Sequence, residues 1–251
     1  MTKKPESTEA IKPEGTISPL LWARSARPSR GPQPAHSRAR IAEAAVTIAD
    51  ADGIEAASMR RVAAAIGSRA TSLYRYVRNK DELLELMVEQ VMGETHPPAR
   101  SGDWRADLAA IAHHARAVIK RHPWMIAISV FRPTLGPNSL ASMEATLSAL
   151  DGHGLDIDGM LAIANALSTF ARGYAAGEIA EQQAKARSGL GREQWMEIQG
   201  RYIEMIRNSG RFPLFMRVVD DAKTPHDPHL VQQGFEQGLQ CLLDGVAVRL
   251  R

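Results

Sequence analysis

The chain holds one cysteine, Cys241, in 251 residues. A single thiol excludes an internal disulfide and any cysteine-built zinc cluster, and it suits a reducing cytoplasm. Aromatic residues are 5% of the chain against 44% hydrophobic residues overall, so the core is expected to be aliphatic, alanine-rich and helical. No apolar run approaches the roughly 20 residues needed to span a bilayer, and the first residues lack the apolar stretch of a secretion signal. Catalytic motifs are missing too: there is no Gly-x-Ser-x-Gly elbow, no phosphate-cradling glycine loop and no His-Glu-x-x-His pair. His113, His114 and His122 lie near one another in sequence. Neighbouring helical positions point to different sides, however, so they read as surface or pocket residues rather than metal ligands. Residues 156–159 (DIDG) open like a calcium loop but lack its later acids and closing glutamate; a helix cap explains them better. No enzyme, cofactor or metal is expected.

Acidic residues are scarce in one region. Residues 1–80 carry 14 Lys and Arg against 7 acids, while the rest of the chain carries 17 against 21. Between positions 60 and 80 there are six basic residues (Arg60, Arg61, Arg69, Arg75, Arg78 and Lys80) and no acid. The same stretch has the pattern of two short helices around a tight turn. Met59, Val62, Ala63 and Ile66 share one helical face, and Gly67 follows where a backbone leaves right-handed helix cheaply. A second helix is expected over residues 70–77, with Leu73 and Val77 packing back on the first. Ala70, Thr71, Ser72, Tyr74, Arg75 and Tyr76 are then left facing outward. A cationic, aromatic and hydroxylic face with no acid suits a polyanion. We read it as a helix-turn-helix whose second helix enters the DNA major groove. The alternative is a helical protein whose basic head meets an acidic partner or a membrane surface without reading sequence.

Residues 1–36 are rich in Pro, Ser and basic side chains and are expected to be a disordered arm. Positions 24–40 hold five arginines and no acid, which suits either a phosphate-hugging arm or a solubilising tail. Ile41, Ala44, Ala45, Ile48 and Ala49 mark a first helix capped by Ser37, and Asn79 caps the helix that follows the reading head. Residues 37–94 are therefore taken as the DNA-binding domain and 100–251 as a second domain, joined by a breaker-rich linker. Beyond the linker every segment has helical period, so the fold class is all-α. Helices are expected over 104–121, 139–150, 156–186, 192–208, 214–221 and 229–250.

The stretch GIEAASMRRVAAAIGSRATSLYRYVRNKDELLELMVE resembles the DNA-binding domain of the tetracycline-repressor (TetR) family, above all in its Leu73-Tyr74 pair and the Lys80 that precedes an acidic-apolar helix. More faintly, LAIANALSTFARGYAAGEIAEQQ, FEQGLQCLLDG and RHPWM…RPTLGP resemble the regulatory domain of tetracycline repressors. The resemblance implies a homodimeric repressor that binds a palindromic operator in double-stranded DNA and is released by a small-molecule effector. It places Arg60 and Arg75 on base edges, Ala70, Thr71 and Tyr76 where members read bases, and Arg69 among the DNA-binding residues. It places Ser72, Tyr74 and Lys80 on phosphates. Ala70, Thr71 and Ser68 depart from the tetracycline repressor, so its operator does not carry over.

For the interface, small residues recur on two helices: Asn165, Thr169, Gly173 and Gly177 on one, Gly234, Gly238 and Gly245 on the other. Several glycines on a helix face, each costing about 1 kcal/mol, suggest a packing reason. Packing within the chain would serve equally on spacing alone. With the resemblance, a four-helix dimer interface including Thr169, Gly173, Gly177, Gly234, Phe235, Gly238 and Leu242 is expected. An effector pocket is expected among His96, Trp104, Leu108, Ile111, Ala115, Trp124, Met143, Leu147, Met160, Asn165 and Phe170. Ile111, Ala115 and the vicinity of Ile128 replace the Asn, Phe and metal-binding His of tetracycline-binding members. A magnesium–tetracycline ligand is therefore not expected.

Overall fold

Five short polar side chains start helices in this protein. In the computed structural model, Ser37, Ser58, Asn79, Asp103 and Asp156 each accept a backbone N–H from the first turn of the helix that follows. Such caps satisfy donors that the helix itself leaves unpaired. The structure describes residues 21–22, 36–95, 99–128, 134–222 and 229–250. Among these residues the chain is helical, without strands. Two compact units separate, one within residues 1–94 and 131–140, the other within 95–130 and 141–251.

The first unit contains α1 (Arg38–Asp52), a 3-10 turn (Ile54–Ala56), α2 (Met59–Ala65), α3 (Ala70–Leu73), α4 (Lys80–Glu94) and the start of α6 (Pro137–Leu150). Ile41, Ala45, Ile48 and Ala49 of α1 and Leu83, Leu86, Met87 and Val91 of α4 are buried, as are Val62, Ala63 and Ile66 beside α2 and Leu73 and Val77 beside α3. Two residues of the amino-terminal stretch expected to be disordered are ordered here: Leu21 is 1% exposed, and its carbonyl accepts from Arg38 Nη1 at 2.8 Å. Arg24, Arg27 and Arg30 lie outside the described residues.

A buried carboxylate closes this unit. Glu89 of α4 accepts the backbone N–H groups of Asn138 and Ser139, at 2.5 and 3.1 Å, and the Ser139 hydroxyl at 3.0 Å. These donors belong to the first turn of α6, where a negative charge meets the positive end of the helix dipole.

The second unit contains α5 (Trp104–Arg121), a 3-10 turn (Pro123–Ala127), the rest of α6, α7 (Ile157–Ser188), α8 (Arg192–Ile198), α9 (Gly200–Ser209), α10 (Pro213–Asp221) and α11 (His229–Ala247). Its core joins Leu108 and Ala112 of α5, Ala149 and Leu150 of α6, Ile163 and Leu167 of α7, and Phe235, Leu239 and Leu243 of α11. The guanidinium of Arg116 stitches three of these helices together. It donates twice to the Glu178 carboxylate at 2.8 Å and once to Gln232 Oε1 at 2.6 Å, and it stands 4.3 Å from the centre of the Phe235 ring. Burial alone would raise the Glu178 carboxyl, but hydrogen bonds from Arg116 and Lys120 outweigh it and hold it below the ordinary carboxylate range. The single helix expected over 192–208 is two helices that break at Gln199. The α8–α10 segment leaves Trp195, Ile198, Met205 and Leu214 at least half exposed. No helix among the described residues is long and apolar enough to cross a membrane.

Candidate nucleic-acid interface

The turn between α2 and α3 is a Schellman motif. Ser68 N–H donates to Ala63 O at 2.8 Å, Gly67 N–H to Ala64 O at 3.1 Å, and Gly67 takes a φ of +69° that a side chain would resist. This turn redirects the chain into α3, which is shorter than the residues 70–77 expected. Regular helix ends at Leu73, and Tyr76 and Val77 N–H both return to Leu73 O at 2.8 and 2.9 Å. The tightened last turn keeps Leu73 and Val77, both fully buried, on the same inner side.

What remains outside is the expected surface. Arg60, Arg69, Thr71, Tyr74 and Arg75 are exposed, and Ala70, Ser72 and Tyr76 are half-buried. The side chains of Arg60, Arg69 and Arg75 have no hydrogen bond or ion pair among the described residues, so their donors are available to a ligand. Arg61 differs: it is tied to Asp52 of α1. The main chain at the end of α3 is held from behind, where Arg38 Nε donates to Tyr76 O at 3.3 Å while its Nη1 holds Leu21 O. Nothing in the sequence marks Arg38 for this; its partners lie 38 and 17 positions away.

Lys80, expected on a phosphate, is turned toward the protein. Its ammonium donates to Ala57 O at 2.7 Å and to Ile54 O at 3.0 Å. Burial lowers its pKa, and the nearby Glu55 carboxylate opposes that.

The expected pocket residues divide. Leu108 is fully buried in the α5–α7–α11 core and acts there as packing. Trp124 is buried, its ring edge-on to His122. Trp104, Ile111, Met160 and Phe170 are half-buried against the same core, and Ala115, Met143 and Leu147 are half-buried as well. Asn165 is exposed: α7 turns Ile163, Ala164 and Leu167 inward, which puts position 165 on the outer face. His96 lies outside the described residues. A separate open depression of about 460 Å³ is lined by Gly154, Leu155, Asp156, Val248 and Arg249.

The interface residues also divide. On α7, Thr169, Gly173 and Gly177 are exposed, and a Cβ at Gly173 or Gly177 would meet nothing within 4 Å. On α11, Gly234 and Gly238 are used inside the chain, whereas Gly245 is exposed and a Cβ there would meet nothing within 4 Å. A Cβ at Gly238 would stand 2.9 Å from the Phe170 ring, and Tyr174 donates its hydroxyl proton to Gly234 O at 2.7 Å. Phe235 is fully buried among Phe170, Tyr174 and Arg116. It belongs to the core and not to an interface. Leu242 is half-buried against that core.

Residues 41–87 match the family model for bacterial regulatory proteins of the tetR family, and residues 96–250 match the tetracyclin repressor-like C-terminal domain. The HTH-type transcriptional repressor DrrR1 of Streptomyces coeruleorubidus is 40% identical over 91% of this chain and 84% of its own. An HTH-type transcriptional regulator of Saccharopolyspora erythraea is 32% identical over 98% of each chain. Among solved structures, the TetR family protein ActR of Streptomyces coelicolor, in complex with actinorhodin, superposes with a TM-score of 0.69. It is 28% identical over 86% of this chain and 97% of ActR. The chain is a member of the TetR family of bacterial regulatory proteins.

Proposed function

We propose that this TetR-family regulator is a repressor that binds a palindromic operator as a homodimer in the bacterial cytoplasm and is released by a small-molecule effector. The observation that carries the reading is the acid-free surface of α2 and α3, where three arginines have no partner among the described residues. Arg60 and Arg75 are assigned to base edges, where a guanidinium fork pairs with guanine O6 and N7. Thr71, with Ala70, Arg69 and Tyr76 beside it, lies along the base side of α3; its methyl suits a thymine methyl. Ser72 and Tyr74 hydroxyls are assigned to phosphates. The exposed small-residue stripe of α7 supports close approach of a second copy, and two copies present two heads to half-sites about one helical turn apart.

The effector is assigned to the second unit, with half-buried Trp104, Ile111, Met143, Leu147, Met160 and Phe170 as its apolar walls. ActR in complex with actinorhodin supports a small molecule in this role. Such a ligand releases DNA only by its differential affinity for the free and bound states. The chain works by binding, without catalysis, like other regulators of its family.

Selection of bound duplexes from a random pool by the purified full chain tests the proposal. An inverted repeat with half-sites about 10–10.5 base pairs apart is the expected product. A pool that shows no enrichment, or a single unrepeated motif, would overturn it.

A further inference from the structure

The first residue of α4 reaches back past the recognition helix to the turn in front of α2. Lys80 Nζ donates to Ala57 O at 2.7 Å and Ile54 O at 3.0 Å. Ile54 opens the 3-10 turn and Ala57 closes it, with Ala57 itself fully buried. The next residue, Ser58, caps α2 through Arg61 N–H, and its own N–H donates to Ala56 O at 2.8 Å. Arg60 projects from the turn of helix that begins there. No carboxylate among the described residues pairs directly with the ammonium: its partners are two carbonyls of one short helical turn, at its first residue and at its carboxyl-terminal cap, and such oxygens favour a positive charge.

From this geometry we infer that Lys80 is a positioning residue, which fixes the start of α2 against the start of α4 and so holds Arg60 at its place on a base edge. Two of its three donors are spent on the protein, directed by acceptors of fixed position, and the side chain is half-buried. A phosphate grip needs the opposite arrangement, an exposed ammonium whose donors await a ligand, as Arg60 and Arg75 present theirs. The segment that Lys80 spans, residues 58–79, contains the whole of α2, the turn and α3. Losing the brace therefore loosens the spacing between the residues that read bases, while the number of charges held against phosphates stays the same.

The inference rests on Arg60 reading a base, and the Arg60→Ala variant tests that separately. The full chain and Lys80→Met are compared on the selected operator and on its single-base-pair variants over a series of salt concentrations. The brace predicts an unchanged slope of log affinity against log salt. It also predicts a loss of discrimination, about fivefold or more, at the base pair that Arg60→Ala also ceases to read. In the Arg60→Ala background the same change should add less than about twofold, because its effect passes through Arg60. A salt slope shallower by about 0.9 for every phosphate that Lys80 had neutralised, with base preferences intact, would overturn the inference. If Arg60→Ala changes no base preference, the Arg60 assignment fails, while the slope still reports on Lys80. Acetylation of the unmodified chain supplies a readout that needs no variant. Lys80 should react slowly both free and operator-bound; rapid reaction in the free chain that operator then blocks would contradict the brace.

Discussion

Phe170 of α7 fills the space that a side chain at Gly238 of α11 would need. A Cβ built there would stand 2.9 Å from Cε2 of the ring and 3.0 Å from Cζ. The ring also packs, tilted, with its centre 5.0 Å from that of Tyr174 and 5.2 Å from that of Phe235, so it has little freedom to yield. Gly238→Ala is therefore expected to destabilise the chain by about 1–3 kcal/mol through overpacking, read as a lower urea midpoint. A midpoint at or above that of the parent would contradict the packing.

Gly177 makes the opposite case. With nothing within 4 Å of its would-be Cβ, Gly177→Ala should leave the single chain as stable or up to about 1 kcal/mol more stable by helix propensity. Gly177→Leu should weaken self-association if α7 is where two copies meet. Sedimentation of the variant as a full dimer at the parent's concentration range would remove α7 from the interface.

The Arg116–Glu178 pair sets an acid limit. Both side chains are largely buried, and removing one partner leaves a buried charge, so Glu178→Ala should cost about 3 kcal/mol. The Glu178 carboxyl titrates below its ordinary value of 4.5 when folded. Its contribution is then fully present above pH 4.5 and is lost as pH falls through the lower folded value. Thermal melts between neutral and acid pH should show a fall in that window that Arg116→Met, removing the main partner, makes shallower. An equal fall in both proteins would contradict the assignment.

Leu21 is expected to belong to the stability of the reading head. Leu21→Ala should destabilise the chain by about 2–5 kcal/mol, as for other fully buried leucines. An unchanged melting curve would return residues 21–22 to the role of an unattached arm.

These relationships differ in how far they could be read from the chain alone. Helix starts were legible because a cap is local: Ser37, Asn79 and Asp156 each need only the three residues that follow. The reading head was legible for the same reason, since its turn, its inner Leu73 and Val77 and its acid-free face fall within two dozen residues. Glycine spacing was legible as a packing signal but not as an address. Close approach of a helix in the same chain and of one in a second copy demands the same small residues, and Phe170 settles it for Gly238 only in three dimensions. Asn165 shares the exposed face of α7 with Thr169, Gly173 and Gly177, and four-residue spacing alone does not say whether such a face turns inward or outward. Lys80, Arg38 and Arg116 were beyond reach of sequence reasoning, because the carbonyls and carboxylates they hold lie 17 to 116 positions away. The break at Gln199 carries no proline, and the Gly200 beside it is tolerated inside a helix as often as it ends one.

The central claim is that the α2–α3 surface reads base pairs, and Arg75 carries it most plainly: exposed, without a partner among the described residues, on the tightened end of the recognition helix. Binding of Arg75→Ala should be compared with the parent on the selected operator and on every single-base-pair variant, at about 0.15 M salt. The account predicts a loss of about 1–3 kcal/mol of discrimination at one symmetric position in each half-site, with the other positions read as before. A variant that weakens on all duplexes alike, or keeps every preference of the parent, would contradict it.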